Sequence, residues 1–270
     1  MKGIVEVLQP VDWDTAPKTA WKCPDCGSVN RNYLPTAAYL FNTGGPKWVQ
    51  GMCHPCEEKA LAQKVKDDQE ADKREKNSRI MALHAKASLP TEMEFVKFSQ
   101  LERRPGSEDA FEVMENIDVK IDRSWLCIMG DNSTGKSRLM AAASNRQNGM
   151  LVPTLYLNES LFFKNVRESW TDNSEAEVMS VFQLAEVVMW DEFSFYNFME
   201  RSWIYERVYA ILEQLAEMDK KVVFCTNIMN LRARPENDNH SIEGRCGKRI
   251  YARLSRRLTR YITMKNTPFF

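Results

Sequence analysis

From Leu89 onward, four short stretches are apolar at consecutive positions: residues 124–129 (SWLCIM), 153–157 (PTLYL), 185–190 (AEVVMW) and 221–226 (KVVFCT). A strand buried on one face would alternate, so these stretches predict strands covered on both faces. The longer segments between them are amphipathic or polar and read as helices. Strands that alternate with helices give a parallel sheet between helical layers, so the expectation for residues 89–270 is an α/β fold. No internal repeat or low-complexity tract interrupts it.

A different pattern comes before. The run EEKALAQKVKDDQEADKREKNSR, from Glu57 to Arg79, holds no Gly, Pro or aromatic residue. Glu70 with Arg74, Asp72 with Lys76 and Glu75 with Arg79 each place the acid four residues before the base, which supports an isolated helix. From Lys66 to Arg79 that helix is polar nearly all round and has no face to bury. Residues 57–88 therefore read as a charged helical linker that spaces two domains or docks a partner, with a separate small unit at residues 1–56.

Composition narrows the function classes. At 270 residues, with 43% apolar, the chain is long enough for about two folded units. Its 37 basic and 37 acidic residues balance, so any nucleic-acid surface must be a local patch. The N-terminus, MKGIVEVLQPVDWD, lacks the apolar centre of a signal peptide, and no stretch approaches the length of a membrane span. The expectation is a soluble cytoplasmic protein without a membrane partner. Seven cysteines without an export signal argue against a disulfide framework and put metal ligation first.

Four of those cysteines form two knuckles, Cys23-Pro-Asp-Cys26-Gly27 and Cys53-His-Pro-Cys56. Two such pairs can supply tetrahedral thiolate coordination to a structural Zn²⁺, with Gly27 suited to the tight turn and His54 as an alternate ligand. A redox pair and unliganded thiols are the other readings. Cys127 and Cys225 fall in apolar strands and read as small buried hydrophobes, while Cys246 carries no signal. Between the knuckles, Arg31, Tyr33, Tyr39, Phe41, Lys47 and Trp48 would form either a small core or a stacking surface for single-stranded nucleic acid.

The sharpest chemistry lies at 130–137. Gly130-Asp131-Asn132-Ser133-Thr134-Gly135-Lys136-Ser137 fits GxxxxGK[ST] between a predicted strand and a predicted helix. Its glycines let backbone N–H groups turn toward phosphates, Lys136 neutralises β/γ charge and the Ser137 hydroxyl can ligate Mg²⁺. With Arg138 next in sequence, these residues form the candidate ATP-binding set. The strand at 185–190 ends in Asp191 and Glu192, a Walker B arrangement in which Asp191 holds Mg²⁺ and Glu192 polarises the attacking water. Paired acids after a strand can also cap a helix. Asn227 closes the next strand, where it either senses the γ-phosphate or makes a turn. The basic stretch from Gly244 to Arg260 reads as a helix that contacts phosphate, DNA or a neighbouring subunit.

On these residues, together with KRIYARL at 248–254, the chain from about Leu89 resembles the AAA+ helicase loaders of the DnaC/DnaI type, which include phage-encoded members and the related transposition ATPase IstB. The resemblance implies Lys136 and Ser137 as Walker A, Asp191 and Glu192 as Walker B, Asn227 as sensor 1 and Arg253 as an arginine finger acting in trans on a neighbour's ATP, with Arg249 the lesser choice. It also implies a core without the helical lid of most AAA+ proteins. The chain departs from the usual loop at Asp131-Asn132-Ser133. Its implied partners are a hexameric replicative helicase, gripped by the zinc module, and single-stranded DNA. DNA contacts would come from among Phe193, Phe195, Tyr196, Phe198, Trp203, Lys164, Arg167, Arg256, Arg257 and Arg260. An IstB-like transposition ATPase, a P-loop nucleoside or nucleotide kinase and an adaptor without turnover are the rival readings. Zinc-bearing thymidine kinases place their ribbon after the P-loop, whereas here the knuckles come first.

Overall fold

The structure, a computed structural model, describes residues 21–23, 25–27, 29–30, 54–87, 89–169, 175–194, 196–234 and 240–265. The chain forms two compact units, Met1–Ala71 and Asp72–Phe270. In the first, β1 (Trp21–Lys22) and β2 (Val29–Asn30) pair antiparallel. Helix α1 (His54–Lys86) contains the boundary between the units. From Leu61 to Glu75 its side chains are exposed, as the polar run predicts. Beyond that run, Leu83 is fully buried in the core of the second unit.

The second unit is a five-stranded parallel sheet flanked by helices, with strand order β4-β5-β6-β3-β7. Its elements in chain order are α2 (Glu108–Glu115), β3 (Trp125–Gly130), α3 (Lys136–Gly149), β4 (Thr154–Asn158), α4 (Glu159–Glu168), α5 (Glu175–Leu184), β5 (Val187–Asp191), α6 (Ser202–Glu217), β6 (Lys221–Thr226), α7 (Ile242–Arg257) and β7 (Leu258–Met264). The consecutive apolar residues serve two cores. Trp125, Cys127, Val188, Trp190, Val222 and Phe224 face one, while Leu126, Ile128, Val187, Met189, Val223 and Cys225 face the other.

The four predicted strands are present. The fifth, β7, was expected to be the end of the basic helix. That helix stops at Arg257, and its strand continuation alternates buried Leu258, Ile262 and Met264 with exposed Thr259 and Arg260. With Thr259 and Arg260 facing solvent, β7 lacks the unbroken buried run that marks the other four strands, the opposite edge strand β4 included.

Candidate functional site

All five strands run the same way, so β3, β5 and β6 deliver their C-terminal residues to one edge of the sheet. There a cleft of about 620 Å³ is lined by residues 132–138, Asp191, Glu192, Cys225, Thr226 and Asn227. Gln100, Leu101, Arg104 and Phe111 wall it from the segment before β3. Of the residues singled out from sequence for nucleotide chemistry, this cleft unites the loop, both acids and Asn227. The order of strands explains the last: β6 lies between β3 and β5, which puts Asn227 between the loop and the acids.

Gly130 and Gly135 are required for different reasons. A Cβ on Gly130 would meet the Met264 carbonyl oxygen at 2.5 Å. Gly135 has φ 91°, the left-handed region that opens α3 after the loop. Lys136 Nζ donates to the carbonyl oxygens of Gly130 (2.7 Å) and Asp131 (2.6 Å) and to Thr134 Oγ1 (3.2 Å). Burial draws its pKa down, and the negative charge of Asp191 and Asp131 offsets this only in part. Ser137 lies half-buried in the first turn of α3, with Arg138 exposed beside it.

Asp191 is buried, and its Oδ2 accepts a 2.6 Å hydrogen bond from Tyr156 Oη. Burial and the Asp191 charge hold the Tyr156 hydroxyl far above its ordinary pKa, so it stays a donor. Glu192 begins a tight turn with φ 56°, and its Oε2 accepts from Asn158 Nδ2 at 3.0 Å. Asn158 also caps α4 by accepting from Leu161 N–H. Tyr156, Asn158 and the adjacent Glu159 are site residues that sequence reasoning missed. The only signal there is the polar triplet Asn158-Glu159-Ser160 after the apolar strand, which reads equally well as an ordinary helix cap, and Tyr156 inside the strand carries none. Glu159 is fully buried, and its carboxylate accepts from Trp190 Nε1 (3.2 Å), Ser194 N–H (2.8 Å) and Tyr196 N–H (3.1 Å). Burial pushes its pKa up to about 8 against the pull of those donors and of Arg245.

Arg253 does not line the cleft. It pairs with Glu213 on α6 and donates weakly to Tyr209 Oη at 3.4 Å, while the exposed Arg249 stacks over the Tyr209 ring with its guanidinium 3.9 Å from the centroid. Both therefore sit together on the α6–α7 face. Of the residues expected near DNA, Phe193 and Phe198 are core, Tyr196 and Trp203 pack against Phe163, and Phe195 lies outside the described residues. Arg257 is tied to Asp219 (2.9 Å) and to the Ala216 carbonyl (2.8 Å), whereas Lys164, Arg167, Arg256 and Arg260 are exposed.

In the first unit, the sulfur atoms of Cys23, Cys26 and Cys56 lie within 4.8 Å of one another. Thiolates on a tetrahedral zinc ion at about 2.3 Å sit about 3.8 Å apart, so this donor set fits Zn²⁺. Gly27, at φ 70°, turns the first knuckle and donates its N–H to the Cys23 carbonyl at 2.9 Å. The expected fourth ligand, Cys53, and Arg31, Tyr33, Tyr39, Phe41, Lys47 and Trp48 lie outside the described residues. Cys127, Cys225 and Cys246 are fully buried, and burial holds all three thiols well above their ordinary pKa.

No protein-family model and no curated protein matches the chain. Solved structures do. DnaI matches with a TM-score of 0.51 at 20% identity, over 66% of this chain and 95% of that one. The DnaC helicase loader matches with a TM-score of 0.51 at 12% identity, over 65% of this chain and 100% of that one. The second unit has the AAA+ fold seen in DnaI and in the DnaC helicase loader. The replication initiator DnaA, bound to AMPPCP and single-stranded DNA, matches with a TM-score of 0.51 at 16% identity over 67% of this chain. The match spans about half of that initiator, 52% of its length. No helix among the described residues is long and apolar enough to cross a membrane.

Proposed function

We propose that the chain is an ATP-hydrolysing helicase loader that binds single-stranded DNA, self-associates and delivers a hexameric replicative helicase. The observation that carries this reading is the convergence of Lys136, Ser137, Asp191, Glu192 and Asn227 on one cleft of an AAA+ fold shared with two loaders.

ATP would lie with its phosphates against residues 132–137 and its nucleoside end toward Leu101 and Phe111. To meet the β/γ-phosphates, Lys136 Nζ exchanges the Gly130 and Asp131 carbonyls for phosphate oxygens. Ser137 and Asp191 offer the hard oxygen donors that suit Mg²⁺, which neutralises phosphate charge when bound. Glu192 accepts the proton of the attacking water, and Asn158 holds its carboxylate meanwhile. Asn227 would contact the γ-phosphate. Arg253 would leave Glu213 to reach a neighbour's nucleotide in trans, which couples turnover to assembly. Cys23, Cys26, Cys53 and Cys56 would hold Zn²⁺ in a module that grips the helicase.

The test is capture of the cognate replicative helicase by the full-length protein with Mg²⁺ and ATP, followed by transfer of the helicase to single-stranded DNA. Turnover without any helicase capture would point instead to the transposition ATPase. The kinase reading requires phosphoryl transfer to a nucleoside, which incubation with ATP, Mg²⁺ and nucleosides would reveal.

A further inference from the structure

Glu159 is a fully buried carboxylate with no part in the chemistry above. Its surroundings give it one. The turn that starts at Glu192 is held in two left-handed residues, Glu192 at φ 56° and Ser194 at φ 66°. Neither is glycine, so each conformation costs on the order of 1 kcal/mol and persists only if the surroundings impose it. Glu159 Oε2 accepts from Ser194 N–H and Trp190 Nε1, and Oε1 accepts from Tyr196 N–H. One carboxyl group thus grips the chain on both sides of Asp191-Glu192. From above, Ser194 Oγ lies 3.3 Å from Cys246 Sγ on α7, and Phe193 N–H donates to the Cys225 carbonyl at 2.7 Å.

We propose that Glu159 is a positioning residue for Glu192, fixing the backbone of the turn while Asn158 fixes the side chain. The inference rests on the hydrolysis reading. Misplacing a water-activating carboxylate by about 1 Å can cost about 10²-fold in rate without touching the phosphate contacts. Loss of Glu159 therefore slows turnover and spares nucleotide binding.

Glu159→Gln keeps the shape but sets an amide N–H₂ against one of the backbone donors. The expected result is turnover at least about tenfold below wild type, per nucleotide-binding site, with affinity for a fluorescent ATP analogue and Mg²⁺ within about twofold of wild type. Wild-type turnover overturns the proposal, as does a loss of turnover matched by an equal loss of binding. If this variant does not fold, Trp190→Phe removes one donor from the same carboxylate; a turnover loss of about threefold with intact binding is expected, and no loss overturns the proposal. Glu192→Gln is assayed in parallel. If it retains turnover, the hydrolysis reading fails; if it loses turnover while Glu159→Gln does not, only the present inference fails.

Discussion

In the proposed reaction Lys136 and Glu192 would act on different atoms, so their loss should be felt at different steps. Lys136→Ala removes the cation that meets the phosphates and is expected to abolish ATP binding. Glu192→Gln should bind ATP normally and lose about 10²-fold or more in turnover, because it removes only the group used at the water. Binding and single-turnover assays separate the two, and unchanged turnover in the Gln variant would take Glu192 out of catalysis. Glu159 has a second signature, in stability. Its pKa of about 8 in the folded protein exceeds the ordinary 4.5, so the folded state holds a proton that the unfolded chain releases. Its contribution to stability is therefore complete below the ordinary value and is lost as pH rises through about 8, with a slope of at most about 1.4 kcal/mol per pH unit. Denaturant unfolding of the wild type should weaken with rising pH across this window relative to Glu159→Gln. Parallel curves would mean that the buried carboxylate is not the source.

Helix α7 shows how one element sets the reach of several charges. Gly247, at φ 77°, kinks it, and a Cβ there would meet Met199 Sδ at 2.5 Å. Beyond the kink lie Arg249 and Arg253, both against Tyr209. Arg253→Ala is expected to bind ATP but lose turnover by about 10³-fold, and mixing it with Lys136→Ala should restore part of the activity, since under the proposal the two defects would fall on opposite sides of a shared interface. No rescue at any mixing ratio, with assembly intact, would count against action in trans. The central strands were legible in the sequence because burial on two faces leaves an unbroken apolar run, and the loop because few sequences satisfy its spacing. Strand β7 was not, since an edge strand with Thr259 and Arg260 outward resembles the basic helix before it. Tyr156 and Glu159 were hidden for a related reason: their partners are backbone groups, the Trp190 indole and an acid more than 30 residues away, contacts that only the sheet register creates. Leu83 was lost at the end of a polar run in which nothing marks a single buried position.

That buried leucine decides where the second unit can be cut. Arg79 caps the end of α5 through two bonds to the Leu184 carbonyl, at 3.0 and 2.7 Å, and Leu83 fills the core, so both belong to the second unit. A fragment from residue 72 should fold and bind ATP, whereas one from residue 88 should be less stable by about 2–5 kcal/mol, the usual cost of an emptied leucine site. Equal melting temperatures would show that the α1 segment does not contribute. Chelation should unfold the knuckle unit, whose described core is little more than Cys23 and Cys56, and leave ATP binding unchanged. Lost nucleotide binding on chelation would tie the two units together. The sheet, finally, has an unfinished side. Among the described residues β7 pairs with β3 alone, so much of its outer row of N–H and C=O groups is a template for another chain's strand. Lys265 N–H closes the far end on the Gly106 carbonyl, and at the near end stands the exposed charge of Arg260. Arg260, singled out from sequence for DNA, is by this placement also a charge that disfavours edge-to-edge pairing with another chain.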